Sequence, residues 1–395
     1  MQPTRSTRIQ SVDILRGIVM IIMAIDHTRD YFHLPAAFAD PLDPNSTSIA
    51  IYLTRWITHF CAPTFVLLSG VSAYLSSRRK TPGEASAFLI KRGLWLIVVE
   101  IVIVTFGITG NPFYNFIVLQ VIWAIGSSMV LLGLLCMFRL SYKTILAIGL
   151  VLFFGHDLIF YASLPRTGAL ANILNLFLTA RFAIIPLNQT HVIADLYAIL
   201  PWTGVMLVGY GLGHWFDKEY AAEKRRRQLI ITGFSLTVLF FALRLINHYG
   251  DPAGWQKMDT PLKTMFSFFR VSKYPPSLMY LCATLGPSTL ALALLERARG
   301  KWTAIPTVYG RVPFFYYILH FYLLHIILAV FFFATGHTTA QILSPNAFAF
   351  QAPGLGYSLV VVYIIWFSVV AALYLPCRWF SRYKMEHRQW WLSYL

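Results

Sequence analysis

Apolar runs long enough to cross a lipid bilayer recur from one end of this chain to the other. A helix needs roughly 18–20 mostly apolar residues to span the hydrocarbon. Ten stretches approach or exceed that length, at about 11–32, 50–77, 88–109, 117–138, 144–163, 196–216, 229–248, 274–295, 308–334 and 357–377. The runs are continuous and do not alternate residue by residue, which argues against a membrane β-barrel. Composition agrees: 57% of the 395 residues are apolar and 12% are charged, against roughly 25% charged in soluble domains. The sequence therefore predicts an all-α fold, a polytopic integral membrane helix bundle of about ten transmembrane helices in a single domain over 1–395.

The net charge is +16, which raises the question of a polyanionic partner. The basic residues, however, sit in short clusters between apolar runs. These are Arg78, Arg79 and Lys80; Arg225, Arg226 and Arg227; Arg297, Arg299 and Lys301; and Arg378, Arg382, Lys384 and Arg388 in the tail. Retention of Lys and Arg on cytoplasmic loops produces that punctuation, so the expected partner is the lipid bilayer and no nucleic acid. An even number of spans puts both termini on one side. The loops of that side hold most of the cations, which predicts cytoplasmic termini. The longer connections, 33–49, 164–195, 249–273 and 335–356, then lie opposite. Within them 173–178 is apolar enough for an interfacial or re-entrant helix, or for an eleventh crossing.

Several function classes lack their signatures. The four cysteines, Cys61, Cys136, Cys282 and Cys377, are scattered, so neither a disulfide framework nor a zinc site is expected. No H-E-x-x-H or metal-spaced carboxylate pair occurs, and no metal is predicted. A Walker loop and a G-x-S-x-G elbow are also missing, which disfavours an ATP-driven pump and a serine hydrolase. The first apolar run follows Arg5, Arg8 and Arg16 without a small-residue cleavage site, so it reads as a retained helix and not a signal peptide.

Ionisable groups inside hydrocarbon are costly and by default functional. The first span holds Asp13, Arg16, Asp26 and His27. Arg16 and His27 are eleven residues apart, three turns plus about 20°, so they share a stripe and lie roughly 16 Å apart along the axis. His27 titrates near neutrality and suits a general base. Arg16 can instead snorkel to headgroups or pair with Asp13. Neighbours on a helix diverge, so His27 has a partner other than Asp26 to find. The second span offers Arg55 and His59 on one face at i,i+4, at the depth expected of His27. Two cations, Arg270 and Lys273, precede Tyr274 and a Pro-Pro pair at the start of the eighth span. They suit an anionic or sugar substrate, or equally an anchored helix start. The ninth carries Arg311, Tyr316, His320 and His325, with Tyr316 and His320 on one face as substrate contacts.

These residues form a recognisable order. Arg8-Ile9-Gln10-Ser11-Val12-Asp13-Ile14-Leu15-Arg16-Gly17 is similar to the R-x-x-S-x-D-x-x-R-G start of the heparan-alpha-glucosaminide N-acetyltransferase-like membrane proteins. The blocks 56–63, 200–206, 272–278, 310–320 and 390–395 match as well, so the resemblance covers nearly the whole chain. In the wider superfamily the acyltransferase-three proteins carry an arginine and a histidine separated by ten residues in the first helix. Arg16 and His27 fit that spacing, and the resemblance implies His27 as the catalytic group. The lysosomal enzyme looks to have asparagine there and a histidine in the following loop, so the order of preference here is His27, His59, then His33.

The resemblance implies acyl transfer across the membrane, with a histidine as general base or transient acyl carrier. Acetyl-CoA or another acyl-CoA, the acyl donor, would enter from the cytoplasm where Arg16, Arg92 or Arg311 meet its phosphates, and a sugar or glycolipid acceptor would approach from the outer face near Lys273. The expected catalytic residues are His27, His59 and Asp26. The expected substrate contacts are Arg16, Arg55, Lys273, Tyr274, Arg311, Tyr316 and His320. The alternative is a transporter or flippase for a sugar- or lipid-like solute, with the polar stripe lining a path. The expected location is a bacterial inner membrane. Oligomeric state is open, a homo-oligomer included.

Overall fold

The structure is a computed structural model and describes residues 9–33, 40–162, 164–165, 167–180, 183–343, 347–352, 354–387 and 389–394. Arg5, Arg8, Arg388 and Leu395 of the sequence motifs lie outside the described residues. The elements in order are α1 (Gln10–Phe32), α2 (Ile49–Thr58), α3 (Cys61–Ser77), α4 (Pro82–Val99), α5 (Thr105–Thr109), β1 (Phe116–Leu119), α6 (Val121–Met137), α7 (Tyr142–Gly155) and α8 (Ala169–Leu174). Then come β2 (Ala183–Pro186), β3 (Val192–Asp195), α9 (Ile199–Leu212), α10 (Ala222–Ile246), α11 (Pro261–Phe269), α12 (Leu278–Leu295), α13 (Ala304–Arg311), α14 (Pro313–Ala334) and α15 (Leu359–Glu386). A π-helical turn, Glu100–Val104, joins α4 to α5.

Among the described residues six helical stretches are long and apolar enough to cross a membrane: Ile49–Ser77, Tyr142–Tyr161, Ala222–Ile246, Leu278–Leu295, Pro313–Ala334 and Leu359–Glu386. Helices also stand at the other four expected positions. Of these α1 carries buried charge, α4 holds Lys91 and Arg92, and α6 and α9 are 17 and 14 residues long. The helices α7, α10 and α15 turn large apolar side chains outward, among them Val151, Phe234, Leu245, Val360 and Phe367. By contrast α3, α9 and α12 are buried over most of their surface. An apolar exterior around a packed interior is the arrangement that suits a lipid solvent.

Helix ends follow local chemistry. At α4 the Thr81 hydroxyl accepts from the Glu84 amide, the Glu84 carboxylate accepts from the Thr81 amide, and Pro82 supplies the fixed first φ. The Ser277 hydroxyl likewise accepts from Tyr280 N at 3.0 Å to open α12. The break between α2 and α3 has a stated cause. Pro63 has no amide to donate to the carbonyl of His59, four residues earlier. The Tyr280 hydroxyl donates to that carbonyl instead, at 3.0 Å.

The long connections gather at one end of the bundle and the basic clusters at the other. At the long-loop end a three-stranded sheet, absent from the sequence expectations, runs in the order β1-β3-β2. β1 and β3 are parallel, with Phe116 opposite Val192 and Leu119 opposite Asp195, and β2 is antiparallel to β3. The expected span at 117–138 therefore opens with a strand and becomes helical at Val121. The apolar segment 173–178 belongs to a helix of Ala169–Thr179, about 16 Å of rise against the roughly 30 Å of hydrocarbon. That length falls short of a span by itself, and β3 returns beside β1.

Several seams bring backbones into direct contact, and two are the tightest. A Cβ on Gly17 would stand 1.7 Å from the Pro306 carbonyl oxygen, and one on Gly310 would stand 1.8 Å from that of Asp13. These contacts lock α1 against α13. Gly70 and Gly209 do the same between α3 and α9, each 2.1 Å from a backbone oxygen of the facing helix. Helices in membranes associate through such small-residue contacts because lipid gives no hydrophobic drive between them. Gly17→Ala is expected to lower stability in detergent by about 1–3 kcal/mol or more, read as a fall in thermal midpoint. Gly83→Ala, where a Cβ meets nothing within 4 Å, should leave the midpoint unchanged or raise it. Equal midpoints for the two variants would refute the seam.

Candidate functional site

The stripe expected on α1 is present, and each end of it meets a different set of helices. The Arg16 guanidinium donates to the Ser72 hydroxyl at 2.7 Å and to the Gly310 carbonyl at 3.3 Å, and it lies 3.6 Å from the Asp13 carboxylate. It thus reaches across to α3 and α13. Eleven residues on, the His27 ring lies against α14. Its Nδ1 is 2.7 Å from Nε2 of His320, and the ring stacks on Phe321 at 4.4 Å between centroids.

The roles in that histidine pair can be assigned. His320 Nδ1 is 3.3 Å from the backbone carbonyl of Tyr316, and a carbonyl only accepts, so this nitrogen carries the proton. With both rings neutral, His320 Nε2 is then the acceptor and His27 Nδ1–H donates to it. The remaining nitrogen of His27, Nε2, is left with its lone pair free to take a proton. A base oriented by a second group, itself held by a third, is the general logic of catalytic triads. Tyr316 also stacks its ring nearly parallel to His320, at 5.6 Å and 9°. His320 and Tyr316 are fully buried.

Asp26, next in the chain, faces elsewhere. Its carboxylate pairs with Arg55 of α2 and with Arg29 at 3.0 Å. This makes it the counter-ion of two buried cations, and it holds α2 against α1. His59 does not join His27. It caps α2 with a helical backbone, its amide bonded to the Trp56 carbonyl. Its ring lies edge-on to Tyr280 at 5.3 Å, with neither nitrogen hydrogen-bonded. His33 follows the end of α1 and pairs with Tyr357 as an isolated bridge. Partial burial, with Arg29 close by, lowers its pKa from the ordinary value.

Lys273 and Tyr274 are folded inward by their flanks. The Asp251 carboxylate accepts from the Ser272 amide at 2.8 Å and from the hydroxyls of Ser272 and Ser277 at 2.9 and 2.6 Å. Asp157 accepts from the Leu278 amide at 2.8 Å. Arg244, 1% exposed, fastens the same connection by donating to the carbonyls of Ala253, Ser267, Phe268 and Arg270. Lys273 then sits over the Tyr274 ring, whose other neighbour is Tyr197, at 5.6 Å.

A cavity opens at each end, and a small void beside His27 lies between them. The one at the basic end, about 440 Å³, is lined by Arg16, Arg79, Lys80, Arg92, Arg311 and Lys384, with Phe65, Val121 and Tyr317 among its apolar and aromatic wall residues. The one at the long-loop end, about 350 Å³, is lined by His27, Asp30, Tyr31, Gln120, Phe321 and Gln351 among others. A small void of about 30 Å³ lies between and is lined by Asp26, His27 and Lys273. It shares Phe65 and Val121 with the first cavity, and His27 and Gln120 with the second. The imidazole therefore stands in the partition between the long-loop cavity and the small void, which abuts the basic cavity across Phe65 and Val121. Both volumes fall in the range of small-molecule sites, about 300–1,000 Å³, and the basic one has the chemistry of a polyphosphate site.

Of the residues expected from sequence, Asp26, His27, Arg55, Lys273, Tyr316 and His320 gather at the partition. Arg16 and Arg311 belong to the basic cavity, Tyr274 backs Lys273, and His59 stands apart. Sequence reasoning missed Gln120, Tyr317 and Glu100. Glu100 is fully buried at the π turn and accepts from the Gln120 amide at 2.5 Å, fixing the residue that lines both inner voids. A lone carboxylate and a lone glutamine in apolar runs were the available signals, and π turns frequently mark functional positions. No group of three His, Cys, Asp or Glu side chains placed to hold a metal occurs among the described residues. Nitrogen-15 NMR of histidine-labelled protein should find His27 Nδ1 pyrrole-like and Nε2 pyridine-like, and His320→Ala should erase that preference. The opposite tautomer in the unmodified protein would contradict the assignment.

A family model described as heparan-alpha-glucosaminide N-acetyltransferase, catalytic, matches residues 8–242. The match covers Arg16, Asp26, His27, Arg55, His59 and Gln120, and ends before Lys273, Arg311 and His320. No curated protein matches the chain significantly. With more than half of its length matched, the chain belongs to the heparan-alpha-glucosaminide N-acetyltransferase catalytic family.

Proposed function

We propose that this membrane transferase moves an acetyl or longer acyl group from acyl-CoA, held in the basic cavity, to a sugar or glycolipid acceptor in the cavity opposite. The observation that carries the reading is the position of His27 in the partition between the two, with Nε2 as its free nitrogen. Arg16, Arg92 and Arg311 supply charge-assisted hydrogen bonds for the donor's phosphates. The rise of roughly 16 Å from Arg16 to His27 is a length that an extended pantetheine arm covers. His27 takes the proton of the acceptor hydroxyl or amine as that atom attacks the thioester carbon. The C–S bond breaks, and the thiolate leaves with the proton returned by His27. His320 and Tyr316 hold the tautomer, Asp26 and Arg55 hold the helix that carries His27, and Lys273 meets the acceptor side.

The basic end then faces the cytoplasm, with both termini there, and the membrane is a bacterial inner membrane. Retention of Lys and Arg on the cytoplasmic side supports that orientation.

Calorimetry with acetyl-CoA on the purified protein in detergent tests the reading. Saturable binding is expected, weakened by Arg16→Ala by about 10- to 100-fold, the equivalent of one lost charged hydrogen bond. His27→Ala should bind acetyl-CoA normally and lose turnover by about 10²- to 10⁴-fold. No binding of acetyl-CoA or longer acyl-CoAs by folded protein would overturn the proposal in favour of a transporter using the same polar passage.

A further inference from the structure

We propose that Tyr317 is a further catalytic residue, whose hydroxyl donates to the thioester carbonyl oxygen as negative charge develops there. The inference rests on the acyl-transfer reading above and adds the group that stabilises the reacting oxygen.

Tyr317 is 3% exposed, and its hydroxyl has no hydrogen-bond partner among the described residues. It lines the basic cavity, and its ring stands edge-on to His27 with 6.3 Å between centroids. The same ring packs against His320 at 5.5 Å and Phe321 at 5.3 Å. Packing alone would be served by phenylalanine, as at 321. A buried hydroxyl left without a partner is unfavourable unless something that enters the cavity completes it. The side of the base from which the donor approaches is where an oxyanion forms.

The start of a helix stands beside the same cavity. Val121 and Ile122, in the first turn of the 17-residue α6, both line it. The first intrahelical bond of α6 is donated by the Ala124 amide, to the Gln120 carbonyl at 3.1 Å, so the amides of 121–123 have no partner within the helix. The start of a helix carries partial positive charge. Glu100 pins the Gln120 amide and so fixes where that start lies. The tyrosine hydroxyl, ordered before the donor arrives and close to that positive helix start, is a preorganised oxyanion donor.

In the reaction the acceptor atom attacks the thioester carbon while His27 Nε2 takes its proton. The carbonyl π pair moves onto oxygen, and the Tyr317 hydroxyl donates to that oxygen while keeping its own proton. When the pair returns, the C–S bond breaks and the thiolate takes the proton from His27.

Isotope-edited infrared spectroscopy of acetyl-CoA labelled with carbon-13 at the carbonyl, bound to the full-length protein in detergent, tests this without knowledge of the acceptor. The wild-type complex should show the carbonyl stretch displaced to lower wavenumber than in solution, and Tyr317→Phe should return it most of the way with Kd unchanged. The unchanged Kd also shows that the variant's cavity is intact. An identical stretch in wild type and Tyr317→Phe would overturn the role. Loss of binding in the variant would overturn it too, since the hydroxyl would then serve ground-state binding. Failure of wild-type protein to bind acetyl-CoA at all would instead sink the acyl-transfer reading beneath it.

Discussion

The seam between α1 and α13 sets the geometry on which everything else depends. Gly17 and Gly310 allow the two backbones to touch, with Pro306 and Asp13 carbonyls occupying the space a Cβ would need. That contact fixes the height of α1 relative to the helix pair α13–α14. Arg16 is thereby placed under the Gly310 carbonyl. Three turns further along α1, His27 meets His320, ten residues along the chain from Gly310. Sliding either helix by one residue, about 1.5 Å, would break both contacts together.

The buried charge is organised so that it does not compete with this arrangement. Asp26 is shared between Arg55 and Arg29, which neutralises a carboxylate that would otherwise be very costly in hydrocarbon. Because those cations take Asp26, the partner left to His27 is another imidazole, and a neutral relay fixes its tautomer without a permanent charge at the partition. Charge is concentrated instead in the basic cavity, where Arg79, Lys80, Arg92, Arg311 and Lys384 join Arg16. The division gives one end an electrostatic address for phosphate and the other a largely apolar, aromatic-walled chamber with a few polar groups.

Much of the bundle is legible in the sequence because apolar length and turn residues are local signals. The strands are not, since four apolar residues such as Phe116–Leu119 read the same way as the start of a span. The α1 stripe is legible from the 100° step alone, and Arg16 and His27 lie where that step puts them. The partner of His27 is not legible: His320 lies 293 residues away, and only tertiary packing brings it near. His59 was drawn towards His27 by depth, but its ring packs edge-on against Tyr280 of α12 instead. Glu100 and Gln120 were visible as polar residues in apolar runs, although nothing local distinguishes them from ordinary interhelical contacts.

The account's central claim is that donor and acceptor reach His27 from opposite ends. A structure of the full chain with a non-hydrolysable thioether analogue of acetyl-CoA tests it most directly. The account predicts the phosphates among Arg16, Arg92 and Arg311, the arm passing Phe65 and Val121, and the carbonyl between His27 and Tyr317. An analogue seated in the long-loop cavity, or bound in the basic cavity with its carbonyl turned away from His27, would contradict it.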